Sequence, residues 1–183
     1  MARARVRKGE TVVVAGASGG VGSAAIQLAK NRGAFVIAIT SLGKVDRVKA
    51  LGADAVVIRD GADLSDSIRR AAPGGKVHVA SDVVGGALFP HLIKSLVPGG
   101  RYVTSGAIGG PITELDLRHL IYRDLEFYGS TVVAPGTFAR VLSYIEAGSI
   151  RPVLAKSFPL VSIREAQAEF LNKEFVGNFV LMP

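Results

Sequence analysis

Short apolar runs alternate with helical segments along most of this chain, and this alternation constrains the fold more than any other feature. The runs are apolar on both faces, which is typical of strands in a parallel sheet that is covered on both sides. Parallel strands need crossover connections, and the helical segments supply them. The sequence therefore predicts an α/β fold with a doubly wound parallel sheet. The predicted strands are Thr11–Ala15, Phe35–Thr40, Ala55–Ile58, Val77–Asp82, Arg101–Ser105 and Leu125–Tyr128.

The predicted helices lie between these strands, and several of them end at glycine or proline stop signals. After Pro152 the pattern changes, and we do not expect this tail to continue the same winding. The tail has an extended segment at Val153–Phe158, a helix at Ile163–Asn172 and a second extended segment at Asn178–Leu181. The earlier predicted helices are Val21–Lys30, Lys44–Leu51, Leu64–Ala71, Ala87–Leu96, Glu114–Arg123 and Phe138–Ala147.

The composition is that of one globular domain. The chain has 183 residues, of which 49% are hydrophobic and 20% are charged, so disorder over the whole chain is excluded. The chain contains no Cys, which excludes disulfides, thiolate metal ligands and a Cys nucleophile. It also lacks an apolar run of the roughly 18 residues that a membrane span needs. We expect a cytoplasmic protein with no membrane partner.

The net charge of +7 is partly concentrated at the N-terminus, because residues 1–10 carry +3 and the remaining +4 is scattered. A nucleic-acid-binding face would cluster basic residues and interleave aromatic ones, and this segment has no aromatic residue. We therefore interpret residues 1–10 as a solvated basic arm and expect no nucleic-acid partner. The alternative is an arm that binds an anionic ligand or nucleic acid.

A glycine-rich turn, Ala-Gly-Ala-Ser-Gly-Gly-Val-Gly at residues 15–22, lies between the first predicted strand and the first predicted helix. A dinucleotide-binding turn requires this context. Glycine tolerates positive φ and lets a pyrophosphate approach the backbone closely, and the helix N-terminus presents N–H groups to the phosphates. The turn predicts a nicotinamide dinucleotide as the ligand. An ordinary strand–helix turn, or another ligand such as S-adenosylmethionine, is the alternative.

The glycines match two known spacings. Ala17, Gly19 and Gly22 give A-x-G-x-x-G, the usual dinucleotide fingerprint with its first glycine replaced by alanine. Gly16, Gly20 and Gly22 give the spacing of short-chain dehydrogenases, which also use a Tyr-x-x-x-Lys pair. None of the four tyrosines has Lys four residues later, so the short-chain active site is excluded.

Longer stretches resemble the cofactor domain of the medium-chain dehydrogenases/reductases, in the quinone-oxidoreductase-like branch. The stretch GETVVVAGASGGVGSAAIQLAKNRGAFVIA carries the resemblance first, and LGAD, LVPGGRYVTSGAIGG and GSIRPVLAKSFPLVSIREAQAEF follow in the family's order. Gly177-Asn178 departs from the Gly-Lys that is usual in the closing strand. The resemblance implies a Rossmann domain at residues 11–152 between the arm at 1–10 and a strand–helix–strand tail at 153–183.

In this family a separate GroES-like domain forms most of the substrate pocket and supplies the zinc ligands of zinc-dependent members. We expect this chain to lack that domain, and therefore to bind the cofactor but turn over little substrate alone. The resemblance implies direct hydride transfer in the complete enzyme, with quinones, conjugated enones or alcohols and aldehydes as substrates. The alternative is a non-catalytic dinucleotide-binding or sensing module.

The segment after the second strand favours NADP over NAD. NAD specificity usually needs an acidic residue at the end of that strand, and Thr40-Ser41 stands there instead. Ser41, Lys44 and Arg47 are suited to a 2′-phosphate, although the two cations are alternatively helix-surface charges. The predicted cofactor-binding residues, which include turns after the fourth and fifth strands, are Ala17, Ser18, Gly19, Gly20, Val21, Gly22, Ser41, Lys44, Arg47, Val84, Gly85, Gly106, Ala107 and Ile108.

Three further expectations concern metals, strand ends and self-association. His78, His91 and His119 lie on different predicted elements without a second ligand at metal spacing, so we predict structural roles and no metal. We interpret Asp82 as a cap at a strand end rather than a ligand.

The stretch Leu125–Ser130 is a predicted edge strand, and family members often pair such edges, so a homodimer is expected.

Overall fold

The computed structural model describes residues 1–61 and 63–183. Strands and helices alternate through the first part of the chain, and the tail adds two strands and one helix. In chain order the elements are β1 (Thr11–Val14), α1 (Gly20–Asn31), β2 (Phe35–Thr40), α2 (Val45–Ala50), β3 (Ala55–Ile58), α3 (Leu64–Ala71), β4 (Val77–Asp82), α4 (Phe89–Ser95), β5 (Leu96–Thr104), α5 (Leu117–Ile121), β6 (Glu126–Gly129), α6 (Thr137–Glu146), β7 (Leu154–Pro159), α7 (Ile163–Asn172) and β8 (Asn178–Met182).

The first six strands form one parallel sheet in the order β3-β2-β1-β4-β5-β6, which confirms the predicted doubly wound α/β fold. The chain winds outward from β1 to β3 and then returns to place β4 beside β1. The winding therefore reverses between β1 and β4. In open parallel sheets the crevice at such a reversal, beyond the carboxyl ends of the strands, is where ligands bind.

Apolar side chains pack on both faces of the sheet, as the apolar runs predicted. Val12 and Val14 of β1 are buried with Ile26 of α1 on one face. Val13 is buried with Ile68 of α3 on the other face. Successive strand residues point to opposite faces, so a four-residue strand that is buried throughout must be covered twice. Across residues 1–61 and 63–183 no helix has the length and apolar character needed to cross a lipid bilayer.

Most elements lie within one or two residues of their predicted bounds, and α5 and β5 differ more. Helix α5 is confined to Leu117–Ile121 within the predicted Glu114–Arg123. The Asp116 side chain accepts a hydrogen bond from the Arg118 N–H at 3.0 Å and starts the helix there. Strand β5 begins earlier than predicted, at Leu96, and pairs with β4 through an irregularity in register.

The N-terminal segment is packed, and the expectation of a solvated arm at residues 1–10 is wrong. Ala4 and Val6 are buried in the same apolar cluster as α1. The Arg101 side chain of β5 is buried, donates to the Ala4 carbonyl at 2.8 Å and pairs with Glu10. The exposed Arg5 side chain pairs with Glu126 of β6. Contacts with the sheet therefore use both the apolar and the charged residues of this segment.

The tail folds as predicted into a strand, a helix and a strand, and its two strands pair in parallel as a separate small sheet. Aromatic rings hold it together, with Phe175 and Phe179 centroids 4.2 Å apart. Gly177 forms an isolated bridge to Gly19, and its N–H donates to the Ser18 carbonyl at 2.9 Å. The tail is thereby joined to the glycine-rich turn.

Candidate functional site

The glycine-rich turn lies at the carboxyl end of β1, beside the reversal of the winding. Gly16 has φ +68°, and a Cβ there would lie 2.7 Å from a methyl carbon of Val83. A Cβ on Gly22 would overlap the Gly16 carbonyl oxygen and the Ala17 Cα. Gly22 must be glycine because α1 starts directly against the turn, and Gly16 because the loop after β4 lies against it. This is the close packing that the fingerprint glycines predict.

The N-terminus of α1 is open to a ligand. Gly19 is its N-cap, and no side chain among the described residues makes a capping hydrogen bond there. Gly19 and Val21 are exposed, whereas Ala17 is fully buried beneath them. A helix N-terminus without a side-chain cap has unsatisfied N–H groups and the positive end of the helix dipole, which together attract anions.

The tail closes one side of this helix N-terminus. A Cβ on Gly20 would overlap the carboxamide of Asn178, so the Asn178 side chain lies directly against the turn. Asn178 is the residue that departs from the family's usual Lys. A neutral carboxamide therefore stands where the resemblance leads us to expect a cation.

Two further predicted loops converge on the turn from the neighbouring strands. The loop after β4 contains Val84 and Gly85, and Gly85 has φ +65°. The loop after β5 contains the exposed Ala107 and Ile108. The Ile108 N–H donates to the Val83 carbonyl at 3.3 Å, so the two loops are joined by backbone hydrogen bonding. The structure thus brings the predicted loop residues to the same edge of the sheet as the turn.

Asp82 is the strand-end cap that the sequence suggested. Its carboxylate accepts hydrogen bonds from the N–H groups of Val84, at 2.7 Å, and Gly85, at 3.1 Å. It also accepts one from the Tyr102 hydroxyl at 2.8 Å, a partner that sequence reasoning missed. Burial, followed by the nearby Asp82 charge, raises the pKa of the Tyr102 hydroxyl, which therefore stays a donor.

A cation-lined cavity of about 330 Å³ opens beyond the end of β2. Ser41 and Lys44, two of the predicted phosphate ligands, line it together with Arg59 and Lys173. Arg47, the third predicted phosphate ligand, is exposed and does not line the cavity. The Lys44 ammonium donates to the Lys173 backbone carbonyl. Burial, and then the positive charges of Arg59 and Arg47, lower the pKa of Lys44, while the nearby Glu174 carboxylate opposes the shift.

Sequence reasoning missed Arg59 and Lys173 for different reasons. Arg59 directly follows β3, and its position after a strand end was a usable signal. Lys173 is in the tail and has φ +56°, a conformation that non-glycine residues rarely adopt. Only the folded tail brings it beside Lys44.

The histidines make contacts with neighbouring elements. The Nδ1 of His78 accepts a hydrogen bond from the Thr11 N–H at 3.0 Å, and the Nδ1 of His91 lies 3.4 Å from the Ser65 hydroxyl. Within the described residues, no group of three or more His, Asp or Glu side chains is arranged to hold a metal ion.

The sheet order, with an open helix N-terminus at the reversal, is that of a Rossmann-like α/β fold, and the relatives below place the chain in the medium-chain dehydrogenase/reductase superfamily. Residues 20–147 match the family model described as zinc-binding dehydrogenase. The match covers more than half of the sequence, and the chain belongs to that family.

Individual relatives agree with this assignment. An acryloyl-coenzyme A reductase from Sulfurisphaera tokodaii is 35% identical over 97% of this chain and 52% of its own length. A protein from Sinorhizobium meliloti 1021, provisionally described as an alcohol dehydrogenase, is 47% identical with a TM-score of 0.96, over 100% of this chain and 50% of its own. A 2-octenoyl-CoA carboxylase reductase solved with NADP and 2-octenoyl-CoA is 27% identical with a TM-score of 0.88. The match covers 97% of this chain and 44% of the reductase chain. Other matches are named NAD-dependent alcohol dehydrogenases. The chain spans about half the length of the curated relatives it matches.

Proposed function

We propose that this chain is the NADP(H)-binding domain of an oxidoreductase of the quinone reductase or alcohol dehydrogenase type. The observation that carries the proposal is the cation-lined cavity beyond β2, which lies at the same sheet edge as the glycine-rich turn. A dinucleotide stretched along this edge would rest its pyrophosphate on the N-terminus of α1. Its adenosine ribose would then reach the end of β2.

The choice of NADP over NAD rests on charge. A 2′-phosphate favours nearby cations, and Lys44, Arg59 and Lys173 line one cavity with the Ser41 hydroxyl. Glu174 is the acidic residue in that lining. One relative is solved with NADP, whereas others are named NAD-dependent, so relatives of both kinds exist. The local excess of positive charge supports the phosphorylated cofactor for this chain.

The loops after β4 and β5 would hold the nicotinamide end. Gly85 and Gly106 lie in these two loops, where each glycine packs against the other loop, and Ala107 and Ile108 are exposed. When bound, the nicotinamide supplies hydride transfer chemistry, and the protein supplies orientation. In the complete enzyme the substrate would meet the ring on this open side.

We infer that the chain alone has little activity. Ile108 is 81% exposed beside the proposed nicotinamide position, so water would have free access to the reacting face. Hydride transfer benefits from water exclusion and from a positioned substrate. The relatives are about twice as long as this chain. Their additional length would supply water exclusion and a positioned substrate.

A homodimer through β6 is part of the same proposal. Strand β6 lies at the edge of the six-stranded sheet, where its outer backbone groups are available to a second copy. Sedimentation velocity at several protein concentrations tests this, because a dimer would have roughly twice the mass at high concentration. A monomer at all concentrations would contradict it.

The proposed cofactor is tested by calorimetric titration with NADPH and, in parallel, with NADH. We expect NADPH to bind at least about tenfold more tightly, because the 2′-phosphate adds charge-assisted hydrogen bonds. Equal affinities would contradict the assignment of the cavity as a phosphate site. Binding of neither nucleotide would contradict dinucleotide binding by this chain.

A further inference from the structure

Asp82 accepts hydrogen bonds from three different residues, and it lies at the end of β4 with only 1% of its surface exposed. Its two oxygens accept hydrogen bonds from the N–H groups of Val84 and Gly85 and from the Tyr102 hydroxyl. Tyr102 belongs to the neighbouring strand β5 and is itself buried. One carboxylate therefore joins a strand end, the loop that follows it and the next strand.

The loop fixed by Asp82 in turn fixes the loop after β5. The Val83 and Val84 carbonyls accept hydrogen bonds from the N–H groups of Ile108, at 3.3 Å, and Gly109, at 2.7 Å. The glycine-rich turn also packs against the loop after β4, since a Cβ on Gly16 would lie 2.7 Å from a methyl carbon of Val83. Any shift of the 83–85 loop is thus passed to residues 106–109.

From these contacts we infer that Asp82 and Tyr102 form a positioning pair, which sets the two loops that receive the nicotinamide half of the cofactor. Neither residue is placed to touch the cofactor, so both act through Val84, Gly85 and the loop after β5. The inference rests on the proposed function. It goes beyond it by assigning a task to two buried polar residues that dinucleotide binding alone does not explain.

The adenine half of the cofactor should be insensitive to this pair. Lys44, Arg59 and Lys173 line a separate cavity beyond β2, on the other side of β1 from β4. Loss of the pair should therefore weaken NADPH binding and leave binding of 2′,5′-ADP, which carries only the adenine half, nearly unchanged. A purely structural role would lower the affinity for both nucleotides together.

The test uses Tyr102→Phe, which removes the hydroxyl and keeps the ring. The Tyr102 ring packs edge-on against Phe89, with centroids 5.1 Å apart, so the aromatic contact should survive. Tyr128→Phe on β6 is the matched control, because its hydroxyl bonds Glu126 away from both loops. Nicotinamide fluorescence measures the Kd of NADPH, and calorimetry measures the Kd of 2′,5′-ADP.

We expect Tyr102→Phe to weaken NADPH about fivefold, the effect of one hydrogen bond, and to change 2′,5′-ADP by less than about twofold. Asp82→Asn, which keeps one acceptor oxygen, should weaken NADPH less than Asp82→Ala does. If both ligands weaken equally, or if NADPH is unaffected in Tyr102→Phe, the positioning role is overturned while the proposed function stands. If the unmodified chain binds neither ligand, the proposed function fails, and this inference fails with it.

Discussion

Glu10 and Arg101 form an ion pair that joins the N-terminal segment to the fifth strand of the sheet, and their side chains are only 15% and 8% exposed. The Arg101 guanidinium also donates to the carbonyl oxygens of Ala4, at 2.8 Å, and Arg5, at 3.1 Å. The Glu10 carboxylate is thus used in a largely buried contact with the sheet. A role for this segment in binding nucleic acid would have to use the exposed side chains that remain.

Substitution of Glu10 should destabilise the fold. Glu10→Gln leaves the buried Arg101 guanidinium without its carboxylate, and we expect the free energy of unfolding to fall by about 2 kcal/mol. Urea denaturation followed by circular dichroism measures this. Glu126→Gln, which breaks the exposed pair with Arg5, is the control and should cost clearly less. Equal losses in the two variants would show that burial of the first pair is energetically unimportant.

Gly22→Ala should damage both stability and cofactor binding. The new methyl group would overlap the Gly16 carbonyl, so α1 must move away from the turn at a cost of about 2 kcal/mol or more. NADPH affinity should fall with it, because the helix N-terminus no longer faces the same point. Gly129→Ala is the control, since nothing lies within 4 Å of a Cβ there. Thermal unfolding and NADPH titration of both variants provide the comparison.

The cations around the cavity should differ in their effect on nucleotide preference. Lys44→Ala or Arg59→Ala should weaken NADPH about tenfold and leave NADH unchanged, because each loses a direct partner of the 2′-phosphate. Arg47→Ala should have a smaller effect, since Arg47 does not line the cavity. Parallel titrations with both nucleotides measure the ratio. A larger effect at Arg47 than at Arg59 would favour the original sequence-based choice of ligands.

Loosening the tail should weaken NADPH binding at the glycine-rich turn. Gly177 has φ +97°, and a Cβ there would overlap the Val153 carbonyl, so Gly177→Ala should displace the start of β8. We expect faster hydrogen exchange in β7 and β8 and weaker NADPH binding, with the six-stranded sheet unaffected. Unchanged NADPH affinity despite a loosened tail would show that the turn keeps its shape without the tail.

The six-stranded sheet could be predicted because its information is local. A strand that is covered on both faces must be apolar at successive residues, as in Phe35–Thr40, and a helix that ends in a left-handed turn needs glycine, as at Gly52. Ser41 directly follows the predicted strand Phe35–Thr40 and Lys44 starts the next predicted helix, so their closeness at the end of β2 is also local information. Their role in binding a 2′-phosphate stays a prediction.

The missed features all depend on contacts between distant segments. Lys173 reaches Lys44 only because the tail folds back over the sheet edge. Tyr102 is hydrophobic enough to count as core, and its pairing with Asp82 depends on the register of β4 and β5. The burial of Ala4 was hidden because the arginines around it suggested a solvated segment. The composition of a short segment therefore does not determine whether its residues are buried, because burial depends on contacts with distant segments.

The hydrogen bond from the Gly177 N–H to the Ser18 carbonyl has a consequence for how the site is made. The turn is synthesised well before its partner, because strands β2 to β6 lie between Ser18 and Gly177 in the sequence. During translation the sheet can form while the turn still lacks this contact. The final shape of the glycine-rich turn is therefore acquired when the tail docks, and we expect a ribosome-bound intermediate without the tail to bind NADPH less well than protein that includes the tail.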